Sequence, residues 1–253
     1  MPGMKLKDQN ILVTGASQGI GAAIAGRLMQ GGARVVVHYN NNRESAEALL
    51  REHGKAGGLA LQANLESPEA VGMLFSQSLE AMGHLDALVL NAGVFLPHPV
   101  SDPPDDWWAT WKKTLAINLD APGMLTRLAI EHFQGRGGGR LLYIGSRAAF
   151  RGETEAYLGY AASKGGLTSL ARSVARSYGK DGIKAFTIAP GFTRTAMAEA
   201  AIAEMGEALR DETALKELTT PEDIAPLAAF MCGGQMDHAT GTVIDMNAGS
   251  YMH

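Results

Sequence analysis

Seven short apolar runs alternate with longer stretches of helical spacing, and that rhythm limits the chain to very few architectures. The runs are "NILVTG", "ARVVVHY", "GGLALQAN", "LDALVLNAG", "GRLLYIGS", "IKAFTIAPG" and "TGTVIDMNAG". Each is rich in Val, Ile or Leu, and most stop at Gly, Asn or Ser. Between them, 18–29, 43–53, 68–82, 105–133, 157–178 and 221–231 carry helical periodicity. Strands that are apolar throughout, separated by helices, predict a parallel sheet covered on both faces. No repeat or proline-rich linker divides the sequence, so residues 1–253 are expected to form one α/β domain. "RGGGR" (136–140) reads as a helix stop and a tight turn into a strand. Residues 195–219 fall outside the rhythm, and are expected to form either a small helical lid or a plain surface helix.

Composition excludes several classes of function. Apolar residues make up 46% and charged residues 19% of the chain, and the net charge is −4 with no basic tract. A nucleic-acid surface would show a basic face. No uninterrupted apolar run is long enough to cross a bilayer, so neither nucleic acid nor membrane is expected as a partner. The single cysteine, Cys232, cannot form an internal disulfide, which fits a reducing, cytoplasmic setting. It reads as a small buried apolar residue. No metal site is expected.

The first strand leads into a glycine turn and then a helix. Gly15, Gly19 and Gly21 follow the pattern G-x-x-x-G-x-G, with Ile24 where other dinucleotide folds place a third glycine. Glycines let the backbone approach a pyrophosphate, and the next helix directs its first amides at the negative charge. Ser17, Gln18 and Ile20 belong to the same loop. At the end of the second strand, a carboxylate would bond an adenosine ribose and repel a 2′-phosphate. Here the strand runs into Asn40, Asn41, Asn42 and Arg43, with no acid before Glu44. Amide donors and a guanidinium suit a phosphate, which places NADP ahead of NAD. A simple polar turn of asparagines is the other reading.

"YLGYAASK" (157–164) holds two tyrosines and a lysine on one helical face. At ~1.5 Å per residue, Tyr160 lies about 6 Å along the axis from Lys164 and Tyr157 about 10 Å. Only Tyr160 is one turn from the ammonium. Tyr157 is expected to be a pocket wall or a packing residue.

"TGASQGIG", "NAG" (91–93), "IN" (117–118), "IGS" (144–146), "YAASK" (160–164) and "APGFTRT" (189–195) together resemble, in order and spacing, the classical short-chain dehydrogenase/reductases. The resemblance runs from about Leu6 to the C-terminus and is nearest in flavour to 3-oxoacyl-acyl-carrier-protein reductases. It implies a single Rossmann-like, doubly wound domain with a seven-stranded parallel sheet, and a homotetramer. It also implies that Tyr160 passes the substrate proton, and that Lys164 holds the nicotinamide ribose and lowers the tyrosine pKa. Ser146 would bond the substrate oxygen, and Asn118 would support a water relay to the lysine. Asn91, Ala92 and Gly93 would lie beside the adenosine ribose, Asn64 and Leu65 against adenine, and Pro190, Gly191, Thr193 and Thr195 near the nicotinamide carboxamide.

Three positions depart from the family pattern. Ser146 and Tyr160 are one residue further apart than is usual, so the loop "RAAFRGETEAYLG" is slightly enlarged. Gln18 stands where many NADP-preferring members have arginine, and Phe186 replaces an asparagine.

The expected reaction is NADPH-dependent reduction of a small-molecule ketone, free or carrier-bound, with a 3-oxoacyl thioester as one candidate. An alcohol, sugar or polyol dehydrogenase is the alternative, and a non-catalytic dinucleotide-sensing regulator is an alternative of another class. Arg136, Arg176 and Lys180 are candidates for receiving an acidic carrier, against Glu199, Glu204 and Glu207 of the lid. Glu153 and Glu155 could bind substrate hydroxyls or simply face solvent. Trp107, Trp108 and Trp111 are expected to pack in the core or at a subunit interface.

Overall fold

The computed structural model describes residues 6–253, apart from the side chains of Met197, Ala200 and Ala201. The strands are β1 (Asn10–Val13), β2 (Arg34–Tyr39), β3 (Gly58–Gln62), β4 (Ala87–Leu90), β5 (Gly139–Ile144), β6 (Ile183–Pro190) and β7 (Val243–Met246). They form one sheet in the order β3-β2-β1-β4-β5-β6-β7. Every pairing is parallel, so all strands deliver their C-terminal ends to one edge. The direction of winding reverses between β1 and β4, and such a switch point opens a crevice at that edge.

The helices are α1 (Gly19–Gln30), α2 (Arg43–His53), α3 (Pro68–Met82), α4 (Pro104–Leu115), α5 (Ala121–Gln134), α6 (Ala148–Arg151), α7 (Leu158–Tyr178), α8 (Glu199–Asp211) and α9 (Pro221–Cys232). Successive strand residues face opposite sides of the sheet. Ile11, Val13 and Val89 join Ile24, Leu28 and Ile224 in one core, with Cys232 buried there. Leu12, Leu88 and Leu90 join Leu74, Phe133 and Leu167 in the other. Both faces of the sheet are therefore covered, as continuous apolar strands require.

Local chemistry fixes several helix starts. The Asn42 side chain accepts from the Ser45 N–H ahead of α2, and the Ser67 hydroxyl accepts from the Ala70 N–H ahead of α3. Thr220 and Asp223 form a reciprocal box at α9, with Pro221 at the first helical position. The glycine-rich turn after α5 is real: Gly137 and Gly138 have φ of 80° and 133°.

One expectation needs correction. The helix predicted over 105–133 is interrupted by a π turn at Ala116–Asp120, which lies between α4 and α5. Side-chain periodicity cannot reveal one extra residue in a single turn. The predicted lid contains α8, whose backbone departs from helical geometry at Met205 (φ −124°, ψ 17°). Leu209, Thr213, Leu218 and Thr219 are buried, so the return half of this segment is anchored in the body of the protein.

Candidate active site

The glycine turn and the loop after β4 meet at the switch point. The Thr14 hydroxyl accepts from the Asn91 and Ala92 N–H groups at 3.0 and 3.1 Å. The Asn91 amide in turn donates to the Thr14 and Gly15 carbonyls at 2.9 and 3.0 Å. Gly15 has φ of +62°, and a Cβ there would lie 2.9 Å from the Ala92 Cα. A Cβ on Gly21 would come within 2.3 Å of the Gly15 carbonyl oxygen. Only glycine permits this approach.

A dinucleotide fits this cradle. Gln18, which precedes α1, makes no side-chain cap, and the first turn of α1 carries no acid. The first amides of α1 are thus uncapped beside the glycine loop of Ser17, Gln18, Gly19 and Ile20, and could receive a pyrophosphate. The Thr195 side chain sits against Gly19, which brings the Pro190–Thr195 segment to the same crevice. Gly191 packs against Asn247, and the Thr193 hydroxyl donates to the Gly191 carbonyl. Asn40, Asn41 and Asn42 are exposed at the end of β2. Asn64 is exposed and its side-chain Oδ1 accepts from Glu66 N–H, whereas the Leu65 side chain belongs to the core beneath. Leu65 can offer only backbone to a ligand.

The candidate catalytic residues lie one strand further along. Lys164, buried on α7, donates from Nζ to the Ile144 carbonyl at the end of β5 at 2.9 Å. This bond holds α7 against β5 and brings Tyr160 to Ser146, the second residue after β5. The Ser146 hydroxyl also accepts from Ala148 N–H at 3.1 Å, ahead of α6. Asn118 is fully buried in the π turn. It accepts from Val94 N–H at 2.8 Å, and donates to the Val94 carbonyl and the Ser163 hydroxyl at 3.0 and 3.1 Å. Gly93 lies beside both Asn118 and Lys164, since a Cβ there would be 3.3 Å from Asn118 Oδ1 and 3.5 Å from Lys164 Nζ. Asn118, Ser146, Tyr160 and Lys164, read from separate motifs, therefore converge.

Burial dominates their protonation. It pushes the Tyr160 phenol up to about 12, against an opposing effect from the Ser146 hydroxyl, and Glu153 adds to the rise. Burial brings the Lys164 ammonium down to about 8. The ammonium is 5.7 Å from the phenol ring centre and is spent on the Ile144 carbonyl, so desolvation of the phenolate wins. At neutral pH Tyr160 is a phenol with a proton to give.

A family model described as enoyl-(acyl carrier protein) reductase matches residues 15–251. The chain belongs to the short-chain dehydrogenase/reductase family. Versicolorin reductase stcU of Emericella nidulans is 31% identical over 98% of this chain and 97% of its own length. A solved short chain dehydrogenase from Burkholderia cenocepacia, in complex with NADP, is 33% identical with a TM-score of 0.88, and the match covers 97% of this chain and 99% of that one. A 3-ketoacyl-(acyl-carrier-protein) reductase from Brucella melitensis, complexed with NADH, is 27% identical with a TM-score of 0.87, covering 98% and 100%. This short-chain dehydrogenase/reductase is accordingly an oxidoreductase acting on a CH–OH/C=O pair with a nicotinamide dinucleotide.

Around Tyr160 and Ser146 lie residues that sequence patterns did not single out. Phe95 stacks on Tyr157 at 3.8 Å and meets Tyr160 edge-on at 4.7 Å, a contact that suits Tyr157 as pocket wall and as packing residue alike. In the enlarged loop the Glu153 side chain is only 11% exposed, 3.9 Å from an Arg151 nitrogen. Glu155 is exposed. Arg147, beside Ser146, is buried over the Phe192 ring and bonds Glu212 at 3.0 Å. The candidate carrier-binding residues are misplaced for that role. Arg136 lies 3.9 Å from Asp86, just before β4, at the opposite edge of the sheet. Arg176 and Lys180 sit at the far end of α7, ~24 Å or more from Tyr160 along its axis.

His38 was equally illegible from spacing. Its Nδ1 accepts from the Gly15 N–H at 2.9 Å and its Nε2–H donates to the Ala63 carbonyl at 3.1 Å, so one neutral ring braces the glycine loop and the C-terminal end of β3. Burial lowers its pKa to about 4. The unfolded chain takes up a proton below its own value of ~6.5 that the folded chain refuses until ~4, so stability falls as pH drops through that window. His38→Asn, which keeps an acceptor for Gly15, should flatten this loss by on the order of 3 kcal/mol, read as urea midpoints at pH 4 and pH 7.

Proposed function

We propose that this enzyme reduces a ketone to a secondary alcohol with NADPH, as a single catalytic domain. The observation that carries the reading is the neutral phenol of Tyr160, half-buried beside Ser146 and one helical turn from Lys164. The bound dinucleotide supplies the hydride for the carbonyl carbon. Ser146 donates to the carbonyl oxygen, and Tyr160 gives that oxygen its proton as charge develops on it. Lys164 stands ready to exchange its Ile144 carbonyl partner for a ribose hydroxyl. Asn118 fixes the loop after β4 through Val94, and its π turn keeps its polar atoms directed at that loop.

NADPH is preferred over NADH in this reading because β2 ends in Asn40, Asn41, Asn42 and Arg43 without a carboxylate. Arg43 pairs with Glu47 at 2.7 Å on an exposed helix face. Exposed pairs of this kind contribute little, so a 2′-phosphate can compete for the guanidinium. A dinucleotide-sensing regulator would have no need of Tyr160, Ser146 and Lys164 held together.

The reductase relative from Brucella melitensis supports a 3-oxoacyl thioester as substrate. A second reading, dehydrogenation or reduction of a hydroxylated substrate such as a sugar or polyol, is favoured by Glu153. A nearly buried carboxylate beside the proton donor accepts hydrogen bonds from hydroxyls. Glu199, Glu204 and Glu207 are exposed on α8 and repel an acidic carrier approaching that side.

Tyr160→Phe should cut kcat at least ~100-fold while leaving NADPH affinity unchanged, and full activity in this variant would sink the mechanism. Steady-state oxidation of NADPH and NADH across 3-oxoacyl thioesters, diketones and oxidised sugars tests cofactor and substrate together. Glu153→Gln should raise KM for a hydroxylated ketone about 10- to 100-fold and leave a simple thioester unaffected. The opposite pattern supports the thioester.

The assembly proposed is a cytoplasmic homotetramer formed through the helices bearing Asn118 and Tyr160 and through β7. Trp108, half exposed on α4 beside stacked Trp107 and Trp111, supplies apolar area there. Light scattering at micromolar concentration should give a tetramer mass, and a monomer mass would contradict this assembly.

A further inference from the structure

The loop from β4 to α4 carries a histidine for which the proton transfer has no use. His98 is fully buried. Its Nε2 accepts from the Gly159 N–H at 3.0 Å, its Nδ1–H donates to the Leu96 carbonyl at 3.2 Å, and its backbone N–H donates to the Ala156 carbonyl at 2.8 Å. These partners fix one neutral tautomer, with the lone pair facing Gly159. Gly159 is the second residue of α7, and its N–H is one that a helix start leaves without an internal acceptor. Tyr157, at the cap position, supplies no side-chain cap. The imidazole therefore caps α7 from another part of the chain.

The residue that follows is Tyr160. Trp107 and Trp111 meet the imidazole with ring centres at 5.3 and 6.2 Å. A Cβ on Gly159 would lie 3.2 Å from both His98 and Trp111, so the helix start has no slack on that side. The same loop is clamped upstream by Asn118 at Val94, and its Phe95 touches both Tyr157 and Tyr160. Asn91–Gly93, the cofactor side, opens this loop. His98, the α7 cap, lies near its other end.

We propose that His98 is a positioning residue, a buried imidazole cap that sets the height and phase of Tyr160 against the Asn91–Gly93 floor. The inference rests on Tyr160 as the proton donor. His98→Phe keeps an aromatic ring among the tryptophans but leaves Gly159 N–H without an acceptor. Glutamine can place an amide oxygen near the former Nε2 position, so His98→Gln is the conservative variant.

The experiment measures amide hydrogen exchange over 156–162, NADPH affinity, and kcat with the best ketone of the panel, each in the wild type and the two variants. In His98→Phe, exchange over 156–162 should rise ~10-fold or more and kcat should fall ~10-fold or more, with NADPH affinity retained. His98→Gln should restore most of both. Wild-type exchange in His98→Phe, lost protection with unchanged kcat, or a glutamine variant as impaired as the phenylalanine one would each overturn the proposal. If His98→Phe does not fold, His98→Leu, which also removes the acceptor, is read in its place: lost protection over the segment is expected, and wild-type protection overturns the proposal. Exchange needs no substrate, so an active Tyr160→Phe enzyme would refute the catalytic reading while leaving the cap result to be judged on its own.

Discussion

Everything at the crevice hangs on the seam between β1 and β4. Chain winding reverses there, and a seam between oppositely wound halves has no connecting loop to close it. Thr14 and Asn91 close it with four hydrogen bonds between a hydroxyl, an amide and four backbone groups. Because the knot uses backbone groups on both sides, it fixes the glycine loop and the loop after β4 as one surface. The Asn118 clamp and the Phe95 contacts extend that surface to Tyr160. A shift at the seam would be felt at the phenol.

The architecture was legible because burial writes itself into strand composition. All seven strands and the helices at Arg43–His53 and Pro68–Met82 follow from apolar runs, helical spacing and cap residues. The convergence of Asn118, Ser146, Tyr160 and Lys164 was legible for a different reason: each sits in a short motif whose order along the chain repeats the family's. What escaped were residues defined by long-range partners. His38 and His98 look like ordinary polar residues in a strand and a loop, and only the fold supplies Gly15 and Gly159 as their donors. Glu153 reads as a surface acid until the turn at Gly152, with φ of 79°, carries it inward. The π turn escaped because it leaves composition unchanged. Arg136, Arg176 and Lys180 failed as site residues because charge says nothing about which edge of the sheet a helix end reaches.

The electrostatics of the site follow from its dryness. Burial moves Tyr160 and Lys164 in opposite directions, toward the neutral form of each. A phenol held protonated is a reservoir for one proton, and an ammonium near 8 is one that a ligand's charge can adjust. The buried Arg147, held below its usual pKa chiefly by burial and next by Arg151, and the nearby acids Glu153 and Glu212 belong to the same low-dielectric zone. Charges there act on the reaction more strongly than charges on the exposed face of α8.

The π turn at Ala116–Asp120 has a bearing on how this fold can vary. One residue more than an α-turn advances the following helix by about 100°, so α4 and α5 present different sides to their surroundings although they run nearly end to end. The three tryptophans and the Leu125–Phe133 core face can therefore be selected independently. A single-residue deletion in this stretch would leave the amino-acid composition almost untouched and every strand in place. Placed ahead of Asn118, it would nonetheless rotate that residue out of register with Val94 and cost the loop its clamp.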